Sequence, residues 1–165
     1  LEFMPINVTK ALLQGFESEL AWFPTNNVTV RANFTYTRGK DLTEKDPLSE
    51  IPAIRGLLGI DYFHAPWGLT VGGRTQITGD QNRVANANGG TQRPKTGGYA
   101  LFDIYLAMQP PQAFFNKFAV PWLHGLRVNA GIDNLTDLKY RRHLSLLPEA
   151  GINPKVSMAY TFVLP

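Results

Sequence analysis

Val28-Thr29-Val30-Arg31-Ala32-Asn33-Phe34-Thr35-Tyr36-Thr37 alternates without a break. In an extended chain, successive side chains point to opposite sides. Val28, Val30, Ala32, Phe34 and Tyr36 therefore share one face, and Thr29, Arg31, Asn33, Thr35 and Thr37 share the other. No helical spacing competes over this window, so it predicts a strand that is apolar on one side and polar on the other.

The reading repeats along the chain. Phe16, Leu20 and Trp22 oppose Glu17, Glu19 and Ala21 in a strand expected over roughly Val8 to Phe23. Ile54, Gly56, Leu58, Ile60 and Tyr62 oppose Arg55, Leu57, Gly59 and Asp61. Trp67 to Ile77, Ala100 to Met108, Leu126 to Asp133 and Lys155 to Phe162 behave in the same way, each with a period of two. About seven strands are predicted.

The connections sort by length. Pro24-Thr25-Asn26-Asn27 and His64-Ala65-Pro66 have the composition of tight turns. Gly39 to Pro52, Gly79 to Gly98 and Asn134 to Asn153 are long and polar. Short and long alternate, as they do in outer-membrane barrels, where periplasmic turns are short and outside loops long. Gln109 to Gly125 breaks the pattern. It should be a short turn, yet it holds Phe114, Phe115, Phe118 and Trp122. It is expected to be either an enlarged turn with aromatics at a membrane interface or a short buried helix.

Composition agrees with an all-β chain that has one greasy face. Of 165 residues, 44% are apolar, 18% charged and 12% aromatic, with 15 Gly and 12 Pro. The net charge is +3 and the basic residues are scattered. No Lys/Arg run exceeds Arg141-Arg142, which argues against a nucleic-acid partner. Without cysteine there is no disulfide framework, thiolate metal site or cysteine nucleophile. No G-x-S-x-G, H-E-x-x-H or phosphate loop is present, so no catalytic residue, cofactor or metal site is predicted and the chain is not expected to be an enzyme. Leu1-Glu2-Phe3-Met4 reads as a cloning scar, residues 5–162 as barrel segment and 163–165 as a tail. No run approaches the roughly 18 apolar residues of a membrane helix, which leaves a strand-built barrel open.

Alternation alone fits either a soluble sandwich, with its apolar side inward, or a membrane barrel, with its apolar side toward lipid. Three features favour the barrel. Aromatics gather beside the short turns, at Trp22, Phe23, Tyr62, Phe63 and Trp67, as at a membrane interface. Small residues such as Ala32, Gly56, Gly73 and Ala130 occupy the apolar face, where a packed core would prefer volume. Single charges recur at mid-strand on the polar face: Glu17, Arg31, Arg55, Arg74, Asp103 and Arg127.

Gly131-Ile132-Asp133-Asn134-Leu135-Thr136-Asp137-Leu138-Lys139-Tyr140, followed by Arg141-Arg142-His143-Leu144, resembles the G-x-x-N-L-x-D-x-x-Y signature of TonB-dependent outer-membrane receptors. Gln14-Gly15-Phe16-Glu17-Ser18-Glu19-Leu20 resembles that family's G-h-E-x-E-h strand, with h apolar. Pro47-Leu48-Ser49-Glu50-Ile51-Pro52-Ala53-Ile54-Arg55 resembles its P-L-x-x-I-P-P-x-R stretch, with Ala53 in place of the second Pro. Three departures stand out: Thr136 where an aromatic is frequent, Asn153-Pro154-Lys155 in place of a Gly-Arg pair, and Val163-Leu164-Pro165 after Phe162. The resemblance implies the C-terminal part, about the last seven strands, of a 22-stranded antiparallel transmembrane β-barrel in the outer membrane of a Gram-negative bacterium. It also implies uptake of a metal chelate such as a ferric siderophore or haem. The implied partners are a plug domain of the same receptor, the TonB complex acting through that plug, membrane lipid and lipopolysaccharide. Neither plug nor TonB box falls within this sequence. The competing readings are a soluble all-β binding module and another outer-membrane barrel such as a porin-like channel.

Candidate sites follow from position. The loop containing Asp80, Gln81, Asn82, Arg83 and Arg93, and the last outside loop with Tyr140, Arg142 and His143, are expected to recognise ligand, because binding surfaces sit on loops held by a rigid scaffold. Haem-uptake members of the family use loop histidines as iron ligands, which singles out His143 over His64 and His124 at the short-turn side. Glu17, Arg31, Arg55, Arg74, Asp103 and Arg127 are candidates for the lumen wall, the arginines either docking the plug or passing an anionic substrate, or else forming a salt-bridge lattice with Glu17, Asp61, Asp103 and Asp133.

Overall fold

The computed structural model describes residues 10–48, 50–85 and 94–162. These form one antiparallel seven-stranded sheet in which every strand pairs with its neighbours in chain order. The strands are β1 (Ala11–Thr25), β2 (Val28–Asp41), β3 (Arg55–His64), β4 (Leu69–Thr78), β5 (Tyr99–Met108), β6 (Leu126–Asp133) and β7 (Asn153–Tyr160). β3, β4 and β5 have 10 residues each, the length of one tilted membrane crossing. β1 and β2, at 15 and 14 residues, run beyond it.

Register puts the two faces in order. Along the apolar side, Trp22 lies opposite Val30, Val30 opposite Ile60, Ile60 opposite Gly73 and Gly73 opposite Ile104. Along the polar side, Ala21, Arg31, Gly59, Arg74 and Asp103 form the adjoining row. A slip of one residue in any pair would mix the two sets, so the apolar pattern itself pins the register.

No second layer covers the apolar face among the described residues. Among the described residues the buried large apolar side chains are Leu101, on the polar face opposite Gln76, and Phe115, in the connection after β5, while Trp22, Leu58, Ile60, Val71 and Ile104 on the apolar face stay about half exposed. A sandwich would bury this face against another sheet. Each exposed Å² of it would cost on the order of 25 cal/mol in water, so the sheet suits an apolar solvent.

Several boundaries differ from expectation. Thr25 still belongs to β1, and the first turn is Asn26-Asn27; a register shift between Trp22 and Thr25 takes up Phe23 and Pro24. Proline has no N–H to give a ladder, which confines it to such irregular points. Trp67, expected to open β4, lies in a 3-10 helix (Ala65–Trp67) that ends on Gly68. β2 continues through Gly39 to Asp41, so the loop that follows is shorter than Gly39 to Pro52 suggests. Phe162 lies past the end of β7, although Thr161 N–H still reaches the Gly125 carbonyl at 3.1 Å.

The irregular connection between β5 and β6 contains a helix, α1 (Gln112–Lys117), and a 3-10 helix (Pro121–Leu123). Phe115 is 2% exposed and sits edge-on to His124 and to Phe114. Phe118 and Trp122 remain exposed. Both expected readings hold in part: the segment has a buried helix residue and an exposed aromatic rim.

Candidate functional site

The polar face of the sheet carries two linked charge groups. Arg31 on β2 pairs with Asp61 on β3, and Asp61 also accepts the hydroxyl of Tyr105 on β5. Tyr105 reaches Asp61 across β4 because Gly72 lies between them. A Cβ there would come within 2.6 Å of the tyrosine ring, so the strand keeps glycine where the ring crosses. In the second group, Arg74 Nε on β4 donates to Asp103 Oδ2 at 2.7 Å, and another guanidinium nitrogen lies 3.4 Å from Asp133 on β6. Lys155 Nζ on β7 meets both oxygens of Asp133 at 2.6 and 2.7 Å. The remaining oxygen of Asp103 accepts Asn134 N–H at 2.8 Å. These bonds tie β2 through β7 side to side.

Glu17, Arg55 and Arg127 stand apart from this lattice, making no ion pair among the described residues. Glu17 and Arg55 lie in one cross-strand row with Thr35 between them. With Glu19, Asn33 and Gln76 they line a basin of about 550 Å³ on the polar face. Four charges available to a partner, Glu17, Glu19, Arg55 and Arg127, are thus separate from Arg31, Arg74 and Asp103, which the wall already engages.

The long loops are built on buried polar residues. Gln81 is 7% exposed and donates to the carbonyls of Ile51 and Pro52 at 2.9 and 3.2 Å, while its own carbonyl takes Arg83 N–H at 3.0 Å. Asp80 accepts Gly98 N–H at 2.5 Å. Of the residues expected to recognise ligand in this loop, Asp80 and Gln81 therefore hold the loop together, Asn82 and Arg83 face outward, and Arg93 lies outside the described residues.

The motif 131–140 has the same structural logic. Asn134 is 4% exposed, adopts φ +50° and caps its own turn: its amide donates to the carbonyls of Leu138 and Ala150, and its oxygen accepts Leu138 N–H. Asp137, also at positive φ, accepts Ile152 N–H at 2.8 Å. Asn and Asp are the side chains that tolerate this conformation and bond locally to backbone. Tyr140 packs on Tyr99 with ring centroids 4.5 Å apart, and its carbonyl accepts Glu149 N–H. His143 Nδ1 lies 3.0 Å from the Thr96 hydroxyl, which joins this loop to the preceding one.

Tyr140, Arg142 and Glu149 rim a basin of about 380 Å³ whose floor includes Arg74, Asp103 and Asp133. The Tyr140 hydroxyl first, and then the Glu149 carboxylate, push the Arg142 guanidinium above its ordinary value against the opposing effect of burial. Arg142 therefore keeps its charge, a fixed cation at the loop end of the polar face. Among the described residues no His, Cys, Asp and Glu cluster of metal-ligating geometry occurs.

Tyr105, Lys155, Asn134 and Asp137 are not among the sequence-derived candidates, and Gln81, expected to recognise ligand, instead braces the loop from a buried position. Alternation placed Tyr105 and Lys155 on the polar face and could have flagged them. Nothing in a polar loop composition marks Gln81 as buried.

Residues 2–135 match the family model described as TonB dependent receptor-like, beta-barrel. The chain is 30% identical over 156 residues to the Heme/hemopexin utilization protein C of Haemophilus influenzae, covering 94% of this chain and 20% of that protein. It is 28% identical over 163 residues to the TonB-dependent heme receptor A of Haemophilus ducreyi, covering 91% of this chain and 21% of that protein. The chain thus spans about a fifth of the length of the curated relatives it matches. Among solved structures it superposes on the copper transporter OprC with a TM-score of 0.77 at 22% identity, covering 92% of this chain and 24% of that one. It superposes on the FrpB iron transporter of Neisseria meningitidis with a TM-score of 0.68 at 15% identity, covering 92% and 23%. These likenesses account for an open sheet with one apolar face and long loops at one end. The chain belongs to the TonB-dependent receptor β-barrel family and forms part of the barrel wall of an outer-membrane receptor of a Gram-negative bacterium.

Proposed function

We propose that the receptor to which this wall belongs takes up haem, a chelated metal, by transport energised through TonB, and that it has no catalytic role. The observation that carries the reading is the 30% identity, over nearly the whole chain, to a haem utilization protein. In this reading Asn82, Arg83, Tyr140, Arg142 and His143 contribute to recognition from the outside loops. Arg142 suits a propionate carboxylate, because a guanidinium offers a planar fork of donors. His143 offers an imidazole that binds iron when it leaves its Thr96 contact. Glu17, Arg55 and Arg127 face the lumen without an ion pair among the described residues and are assigned to the plug of the same receptor. Arg31, Arg74 and Asp103 are assigned to the wall itself.

Growth of an iron-starved strain that makes its own porphyrin and carries the intact receptor as its sole outer-membrane iron receptor tests the reading. Haem as the only iron source should support growth, and a ferric siderophore should not replace it. His143→Ala should weaken haem binding by roughly tenfold, as for loss of one good ligand. Unchanged haem affinity would remove His143 from the site. Growth on the siderophore alone would favour a siderophore receptor with the same wall.

A further inference from the structure

Leu146 and Leu147, 86% and 73% exposed, are the most exposed large apolar side chains among the described residues. Val156 and Met158 on β7 are nearly as exposed, but their side of the sheet faces lipid. The two leucines belong instead to the water-facing loop between β6 and β7. Apolar carbon left in water is unfavourable in proportion to its area, and a patch of it on a protein surface marks a place where something binds.

The patch sits on a built apex. Glu149 N–H donates to the Tyr140 carbonyl at 3.0 Å and closes its base. Inside it, Ser145 N–H reaches the Arg142 carbonyl at 3.1 Å, and the Ser145 hydroxyl donates to the Leu147 carbonyl at 2.8 Å. Leu144 is held at φ +73°, a conformation uncommon for a bulky side chain and met most often at ligand clamps and switches. Two chemistries lie side by side here. Arg141 and Arg142 lead into the apex, Leu144, Leu146 and Leu147 form its tip, and His143 stands between. Pro94, Thr96, His143, Leu144 and Leu146 line one recess of about 40 Å³. That is room for a methyl or vinyl group and not for a whole ligand. Arg142 also rims the basin over the polar face, so the apex stands at the mouth of the lumen.

We propose that Leu144, Leu146 and Leu147 form an apolar shelf that binds the porphyrin ring itself, independently of the metal at its centre. The inference rests on the haem reading and states which part of the ligand this loop recognises. A porphyrin is an apolar disc with two carboxylates on one edge. Three leucines behind two guanidinium groups match that division, with ring against leucine and carboxylate against arginine. A ring substituent fills the recess beside His143. A hydroxamate siderophore wraps its metal in amides and oxygens and gains little from such a shelf.

The test measures binding to the intact receptor in detergent, with haem, metal-free protoporphyrin IX and a ferric trihydroxamate as probes. Wild type should bind both porphyrins and not the trihydroxamate. Leu146→Asn with Leu147→Asn should weaken haem and protoporphyrin alike, by roughly tenfold or more, because two leucines no longer bury apolar area on the ring. Leu146→Met with Leu147→Met keeps the volume and should keep the binding. His143→Ala should weaken haem alone, since only haem carries a metal for the imidazole. If the double Asn variant folds poorly, Leu146→Asn alone decides, with a smaller loss for both porphyrins. Unchanged binding of both porphyrins, or a loss for haem only, would overturn the shelf and leave the haem reading standing. Unchanged binding of the free porphyrins with slower transfer from haem–albumin would make the apex a protein-docking surface instead. Wild type that binds the trihydroxamate and neither porphyrin would sink the proposed function and the shelf with it.

Discussion

Asn134 shows how one residue can carry a motif. It is nearly buried, sits at φ +50°, and satisfies two carbonyls and one N–H of the loop 134–152 with its own amide. An alanine would leave those backbone groups unpaired, at about 1–3 kcal/mol for each buried group that water cannot reach. It would also adopt a left-handed conformation at a cost of roughly 1–2 kcal/mol. Asn134→Ala should therefore loosen the loop while the strands stay paired. Hydrogen exchange across 138–152 in the intact receptor should quicken, with β3 to β5 unchanged; uniform protection in that loop would show that Asn134 is dispensable. The motif was legible in the sequence as a resemblance. Its physical reason was not, because a polar residue in a polar loop gives no sign that it is buried. Gln81 is legible as a loop residue but its bracing role is not, for the same reason: its partners, Ile51 and Pro52, lie on a different loop.

At the scale of elements, the strands were legible and the enlarged turn was only half so. Alternation over eight or more residues has no helical competitor, and each strand centre falls where the pattern places it. In residues 109–125 the spacing of Phe114, Phe115 and Phe118 suits both a helix face and an aromatic rim. α1 is six residues long, too short for a period to declare itself. The structure shows what the turn holds. Tyr160 on β7 donates its hydroxyl to the Trp122 carbonyl at 2.6 Å, and Phe162 stacks on Tyr160. Gly125, at φ +98°, brings the chain against Thr161, where any Cβ would collide with the Thr161 carbonyl. Tyr160→Phe keeps the ring and removes one hydrogen bond, a loss of about 0.5–1.5 kcal/mol. The effect should be local: faster exchange at Gly125 and Thr161 and a slightly lower melting point of the intact receptor. If exchange at both sites is unaffected, the turn does not brace β7.

At the scale of the whole molecule, the two faces of the sheet make opposite demands, and neighbouring leucines on β3 separate them. Leu58 lies on the apolar face, opposite Ala32 and Thr75. Leu57 lies on the polar face, opposite Asn33 and Gln76, beside the basin lined by Glu17, Glu19 and Arg55. An arginine at 58 meets hydrocarbon and should cost about 2–4 kcal/mol near the midplane of a barrel wall. At 57 the same arginine meets water and the carboxylates of Glu17 and Glu19, which make no ion pair among the described residues, and its cost should stay below about 1 kcal/mol. Sequence alternation made this division visible, but it could not say which side was wet, since a sandwich inverts the assignment. What decides is the absence of a second layer over the apolar face among the described residues, together with a charge lattice spanning β2 to β7 on the other. Leu58→Arg and Leu57→Arg in the intact receptor, compared by reversible unfolding in lipid vesicles, put a number on that division. A large loss at 58 with little at 57 is expected. Equal losses, or the reverse order, would mean that lipid and lumen have been assigned to the wrong faces.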